Sequence, residues 1–255
     1  MSGSSESVKP FTSVRWWENY LVRYFVGTAV GAAIIIILLD SSLSSFKSIV
    51  FSSSTKDSTV KDVNPWVLVA GGLAYCYFAS APMLTLHATR AQLGLVEMRH
   101  RWNRVVVLIS TIVTLTLGFK FLFKVEWTTI GALELLLFSV IFGTQIVLLI
   151  EAHRQSFRPI QLFYENLSQQ RSAGADDLKT SEYIESYRHL REHANAYAII
   201  VLELVLALVL SAVHADWQKV TVLLLWVAPS GYCWLIATVL EARFAARGKS
   251  GTSGT

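Results

Sequence analysis

Residues Thr128–Ile150 read TTIGALELLLFSVIFGTQIVLLI, 23 residues with one charged side chain, Glu134. Coiled as a helix at about 1.5 Å per residue, such a run crosses the ~30 Å hydrocarbon layer of a bilayer. Lipid offers no partner to backbone N–H and C=O groups, so a run of this kind satisfies them internally by becoming a helix. Five further stretches read the same way: Tyr20–Leu39, Trp66–Ala88, Asn103–Phe123, Ala196–Val213 and Val220–Leu240. The expected fold is an all-α polytopic membrane protein with six transmembrane helices. Of its 255 residues 53% are hydrophobic and only 16% charged, which leaves little material for a soluble domain.

Orientation follows from the basic residues, which concentrate on the cytoplasmic side of membrane proteins. With the N-terminus inside, Lys9, Arg15 and Arg23, then Arg90, Arg99, Arg101 and Arg104, then six more between spans four and five, then Arg243, Arg247 and Lys249 are cytoplasmic. That is 16 of the 22 Lys and Arg residues. Both termini are therefore expected in the cytoplasm of a cell-membrane protein. Tryptophan agrees, since its indole favours the headgroup level: Trp16, Trp17 and Trp102 fall at inner boundaries, and Trp66, Trp127 and Trp217 at outer ones. The formal charge of +4 and pI near 9.1 are placed beside span ends, where anionic lipid headgroups account for them better than nucleic acid does.

The resulting organisation is a cytoplasmic segment, 1–19; spans one to four, 20–152; an inner segment, 153–195; spans five and six, 196–242; and a flexible cytoplasmic tail, 243–255. The first 19 residues are polar and lack the apolar core of a cleaved signal, so span one reads as a retained anchor. The inner segment opens with Arg154-Gln-Ser-Phe-Arg-Pro159, where proline is expected to end or kink the fourth helix. Helical pattern resumes at Ile160–Gln170, breaks at Ser172–Ala175, and resumes from about Asp176 into span five. This predicts a cytoplasmic helical hairpin whose second arm carries Ile184, Tyr187 and Leu190 at helical spacing, a face suited to docking a soluble partner or a neighbouring subunit.

Few residues carry chemistry. Two cysteines, Cys76 and Cys233, lie within spans and provide neither a disulfide framework nor a zinc knuckle, and no cofactor is expected. His189-Leu-Arg-Glu-His193 matches the short H-x-x-E-H metal-binding pattern, with Glu192 as base and a third ligand still required. The sequence lacks a Walker A loop, a nucleophile elbow and H-E-x-x-H, so an enzyme has no positive support. Glu134 and Glu203 lie well inside spans four and five, where a carboxyl is costly and faces the bundle interior, as structural glue or as part of an ion route. Gln145 and His87 join them as ion-pathway candidates. Gly27 and Gly31 form a G-x-x-x-G on span one that allows close helix packing, within the chain or between subunits.

The function expected first is a non-enzymatic, self-associating channel-like or membrane-signalling subunit, a homo-oligomer commanded through its hairpin by a cytoplasmic protein. The alternative is a proton- or cation-coupled transporter using Glu134 and Glu203. A membrane-embedded metal hydrolase at His189, Glu192 and His193 is third.

Overall fold

The computed structural model describes residues 20–41, 64–90, 98–125, 128–158, 160–163, 165–166 and 178–250, and these contain no β-strand. Six helices run in sequence: α1 (Tyr20–Ser41), α2 (Pro65–Thr89), α3 (Met98–Phe123), α4 (Thr129–Arg154), α5 (Leu178–Ala212) and α6 (Asp216–Ser250). Five include segments long and apolar enough to cross a membrane, namely Pro65–Thr89, Trp102–Phe123, Thr129–Arg154, Ala194–Ala212 and Asp216–Val239. In α1 the apolar stretch Tyr24–Leu39 is shorter. The helices thus have the length and composition of a multi-pass membrane protein.

Their boundaries have local causes. Asn64 caps α2, its Oδ1 accepting from the backbone N–H of Trp66 at 3.1 Å and Val67 at 3.4 Å, while Pro65 occupies the first turn, where no N–H is needed. Thr128 caps α4 by accepting from Gly131 N–H at 3.0 Å. At α6, Gln218 reaches back to the N–H groups of His214 and Ala215, at 3.3 and 3.1 Å. Its Nε2 donates to the Phe123 carbonyl at 3.1 Å, which ties the end of α3 to the α5–α6 turn.

The fourth helix ends at Arg154, ahead of the expected proline break. Ser156 N–H donates to His153 O and Phe157 N–H to Ala152 O, both at 2.9 Å, which is the pairing of a Schellman cap. Ser156 and Phe157 adopt left-handed φ values of 50° and 57°. Non-glycine residues pay about 1–2 kcal/mol each for this conformation. Packing offsets the cost: Phe157 meets the edge of His153, and with Phe163 it covers the buried pair Ala152 and Ile160. The chain after the cap therefore folds back onto the end of α4, and Arg90 lies over the Phe163 ring at 5.3 Å. Pro159 itself lies outside the described residues.

One expectation on length is revised. As expected, helix runs from the inner segment into span five without a break, since α5 is one helix of 35 residues. The tail expected from residue 243 is helical as far as Ser250, because α6 is also 35 residues long. Beyond their apolar segments, α5 projects about 24 Å and α6 about 16 Å at 1.5 Å per residue. Whether residues 153–195 close into a hairpin falls outside the described residues.

The centre of the bundle is α2, which touches α1, α4, α5 and α6, while α3 docks on α4. Small residues set the α1–α2 approach. A Cβ added at Gly72 would stand 2.4 Å from Thr28 O and 2.8 Å from Ala32 N, and one at Gly31 would stand 2.7 Å from Gly72 O. Toward the Gln218 end the interior is aromatic, with Phe119, Phe138, Phe142 and Trp226 stacking or tilting at centroid distances of 4.8 to 6.2 Å. Trp226 is fully buried, and its indole N–H donates to Ala79 O at 3.2 Å. The exterior is apolar as well: Val106, Ile109, Val113 and Phe121 of α3 are exposed, as suits a lipid-facing surface.

Candidate functional site

The interior polar groups fall at three levels. At the middle level Glu203 of α5 is fully buried, and neither carboxyl oxygen has a hydrogen-bond partner of good geometry. Its surroundings come from α1 and α2. A Cβ at Gly27 would lie 3.0 Å from Glu203 Oε1 and 2.5 Å from Cys76 Sγ, so glycine is what admits the carboxyl and the thiol to the same spot. The Cys76 thiol faces the carboxyl, and sulfur is only a weak hydrogen-bonding partner. Tyr75 turns its hydroxyl away to donate to the backbone carbonyl of Glu203, at 2.7 Å.

Nearer the Gln218 end, Glu134 of α4 is buried beside the Ser211 hydroxyl of α5. Ser211 is eight residues along α5 from Glu203, about 12 Å of helix, so the two glutamates do not form a pair.

Toward the opposite end, α2 and α6 share a seam of hydroxyls beside their prolines. Ser230, next to Pro229, donates to the carbonyl of Ala81, next to Pro82. Thr85 Oγ1 lies 3.1 Å from Ser230 Oγ; since the Ser230 proton is already given to Ala81, Thr85 is the donor of that pair. The Cys233 thiol sits beside Thr85, and Thr89 donates to the Thr85 carbonyl at 2.8 Å. All four side chains are buried. Each proline lacks the N–H that would pair with the carbonyl four residues earlier, while the seam hydroxyls bond to one another and to the Ala81 and Thr85 carbonyls.

Of the sequence candidates, Glu203 and Glu134 face protein. Gln145 is also buried, with Nε2 donating to Ile141 O at 3.3 Å and Oε1 lacking a partner. His87 is half-buried near the end of α2, its Nδ1 3.0 Å from Met83 O. Gly27 and Gly31 meet α2 of the same chain, so this small face is filled intramolecularly. The side chains of Ile184, Tyr187, Leu190, His189, Glu192 and His193 lie outside the described residues, although their backbone belongs to α5. Among the described residues no three His, Cys, Asp or Glu side chains converge as a metal site.

At the arginine-rich rim, two contacts join helices. Arg104 of α3 forms an ion pair with Glu151 of α4, and Tyr232 of α6 lies 3.2 Å from His153 Nδ1 of α4. The pairing of Cys76 with Glu203 and the Thr85–Ser230 seam were not apparent in the sequence. The available signal was Thr85 and Thr89, one turn apart on a helix that carries Pro82 in its interior. Comparison with protein-family models, curated proteins and solved structures gives no match for this chain.

Proposed function

We propose that the chain is a six-span cell-membrane protein with cytoplasmic termini that moves a proton or small cation across the bilayer through Glu203. The observation that carries this reading is a fully buried carboxyl, without a good hydrogen-bond partner, at the junction of three helices in the middle of an apolar bundle. A carboxyl used only to bind helices together is expected to hydrogen-bond across them. An unpartnered one is free to exchange an ion, the usual role of an intramembrane acid. Glu134 beside Ser211 stands about 12 Å from it along α5, as a second station toward the Gln218 end. Gln145 and the Thr85–Ser230 seam stand toward the arginine-rich end, which the distribution of basic residues assigns to the cytoplasm.

The test is ion flux in proteoliposomes carrying an internal pH dye or a radioactive alkali cation. Wild-type protein is expected to give flux, Glu203→Gln to abolish it, and Glu134→Gln to slow it. Flux unchanged in Glu203→Gln refutes the reading.

A second reading, a self-associating channel-like or signalling subunit bound by a cytoplasmic protein, is favoured by one observation: α5 and α6 continue as helices past their apolar segments. Such projections offer contact surface outside the bilayer. Its first test is particle size in native lipid, where this reading requires an oligomer. Gly27 and Gly31, already used against α2, would not supply that interface.

A further inference from the structure

We infer that the ion handled at Glu203 is a proton rather than an alkali cation, an inference that rests on the transport reading above and sharpens it. A buried carboxyl is tolerated in lipid either as the neutral acid, holding its own proton, or as the carboxylate against a bound cation. The two states need different surroundings. Hard cations are held by several oxygens, typically six or more, and sulfur is a poor ligand for them. Among the described residues, the polar side chains brought to this carboxyl are those of Tyr75 and Cys76. The first has its hydroxyl committed to the Glu203 backbone at 2.7 Å, and the second presents sulfur. The α1 side of the site is Gly27; after the thiol and the carboxyl, the next atom that a Cβ there would meet is a methyl carbon of Ile199, one turn before Glu203 on α5. On α1, Tyr24 is about one turn away and stacks on Tyr77 at 4.9 Å. On α4 the nearest acid, Glu134, is placed beside Ser211, about 12 Å along the bundle.

The groups farther along α2 suit the same ion. Nine residues from Cys76, about 13 Å of helix, the Thr85 and Ser230 hydroxyls form a directed chain ending on Ala81 O, with the Cys233 thiol at its start. Each hydroxyl in that chain both donates and accepts, as a proton carrier must, but the last acceptor is a backbone carbonyl with no proton to pass on, so the seam tolerates a proton without forming a through relay. The chain contains no carboxylate to hold a metal cation. Between Cys76 and Thr85 along α2, the Ala79 carbonyl accepts from the Trp226 indole N–H.

The experiment is infrared difference spectroscopy on the full-length protein in a lipid film. Raising the pH with choline as the only added cation should remove a carboxylic C=O band that Glu203→Gln lacks from the outset. Exchanging choline chloride for NaCl or KCl at constant pH should leave that band in place. Cys76→Ser replaces a weak donor by a stronger one at the carboxyl and should move the band to lower frequency, which assigns it even if Glu203→Gln does not fold. Loss of the band on adding NaCl or KCl overturns the inference, as does a Cys76→Ser spectrum superposable on wild type. The two readings fail separately. Flux that needs Glu203 but is driven by an alkali gradient leaves transport standing and removes the proton, whereas a responsive band with Glu203-independent flux does the reverse.

Discussion

Gly72→Ala is expected to destabilise the bundle although alanine is the better helix former. The new Cβ would stand 2.4 Å from Thr28 O and 2.8 Å from Ala32 N, both backbone atoms of α1 that cannot rotate aside. The helices must separate, and overpacking of this kind costs about 1–3 kcal/mol. Against this stands a propensity gain of about 1 kcal/mol for replacing glycine within a helix. The net loss is therefore up to about 2 kcal/mol once the propensity gain is set against the packing cost. Gly118 and Gly231 provide the internal control, because a Cβ at either meets nothing within 4 Å. Gly118→Ala should therefore stabilise by up to about 1 kcal/mol, the propensity gain alone. The assay is reversible unfolding in mixed micelles with increasing denaturing detergent, comparing midpoints of the three proteins. A Gly72→Ala midpoint at or above wild type, or a Gly118→Ala loss as large as that of Gly72→Ala, would refute the reasoning from close α1–α2 contact.

Two further outcomes follow from named contacts. Ser156→Gly removes the left-handed strain at the α4 cap, where φ is 50°, and should raise stability by about 1 kcal/mol in the same titration; a decrease would mean the Ser156 side chain has a role beyond filling that position. Trp226→Phe keeps an aromatic ring against Phe138 but removes the N–H given to Ala79 O, and should cost about 1 kcal/mol for the hydrogen bond, whereas Trp226→Ala should cost about 3–5 kcal/mol; equal losses would place the whole effect in the hydrogen bond.

Helix content and the approximate spans were readable because apolar runs near 20 residues have few alternatives in any solvent. Residue depth was readable for the same reason: Glu203 and Glu134 had to lie inside, and both are buried. Which face meets which helix was not readable. The periodicity of α1 marks Gly27 and Gly31 as one small face, but a partner helix and a second subunit are equally compatible with it. The contact of Glu203 with Cys76 joins residues 127 apart in sequence, and no local pattern specifies it. Thr85 and Ser230 were overlooked because a hydroxyl barely disturbs an apolar run; only their position beside Pro82 and Pro229 makes them informative. The extent of α6 was underestimated for a different reason. The Gly- and Ser-rich end is preceded by Glu241-Ala-Arg-Phe-Ala-Ala-Arg247, whose residues are mostly strong helix formers and carry the helix on. The α4 stop lies at Arg154 rather than at Pro159 because the packing of Phe157, Phe163 and Ile160 on Ala152 outweighs the strain of two left-handed residues.

The distribution of satisfied and unsatisfied polar groups argues that Glu203 is retained for more than stability. At the Gln218 end the side-chain amide bonds to His214, Ala215 and Phe123, so its burial is matched by partners. In the α2–α6 seam each hydroxyl is likewise engaged. Gln145 Oε1 and Glu203 depart from the pattern, and Glu203 does so with both carboxyl oxygens, faced only by a thiol. Leaving a buried polar group unpaired costs about 1–3 kcal/mol, and more where the group is charged. An apolar side chain of similar size at position 203 would avoid that cost in lipid as it does in a protein core. A residue that lowers stability while sitting where three helices meet, with Gly27 cleared of any side chain to admit it, is accounted for by a use in which its carboxyl must be free to change partner. Under the transport proposed for Glu203, ion exchange would be such a use, whereas structural bonding between helices would not.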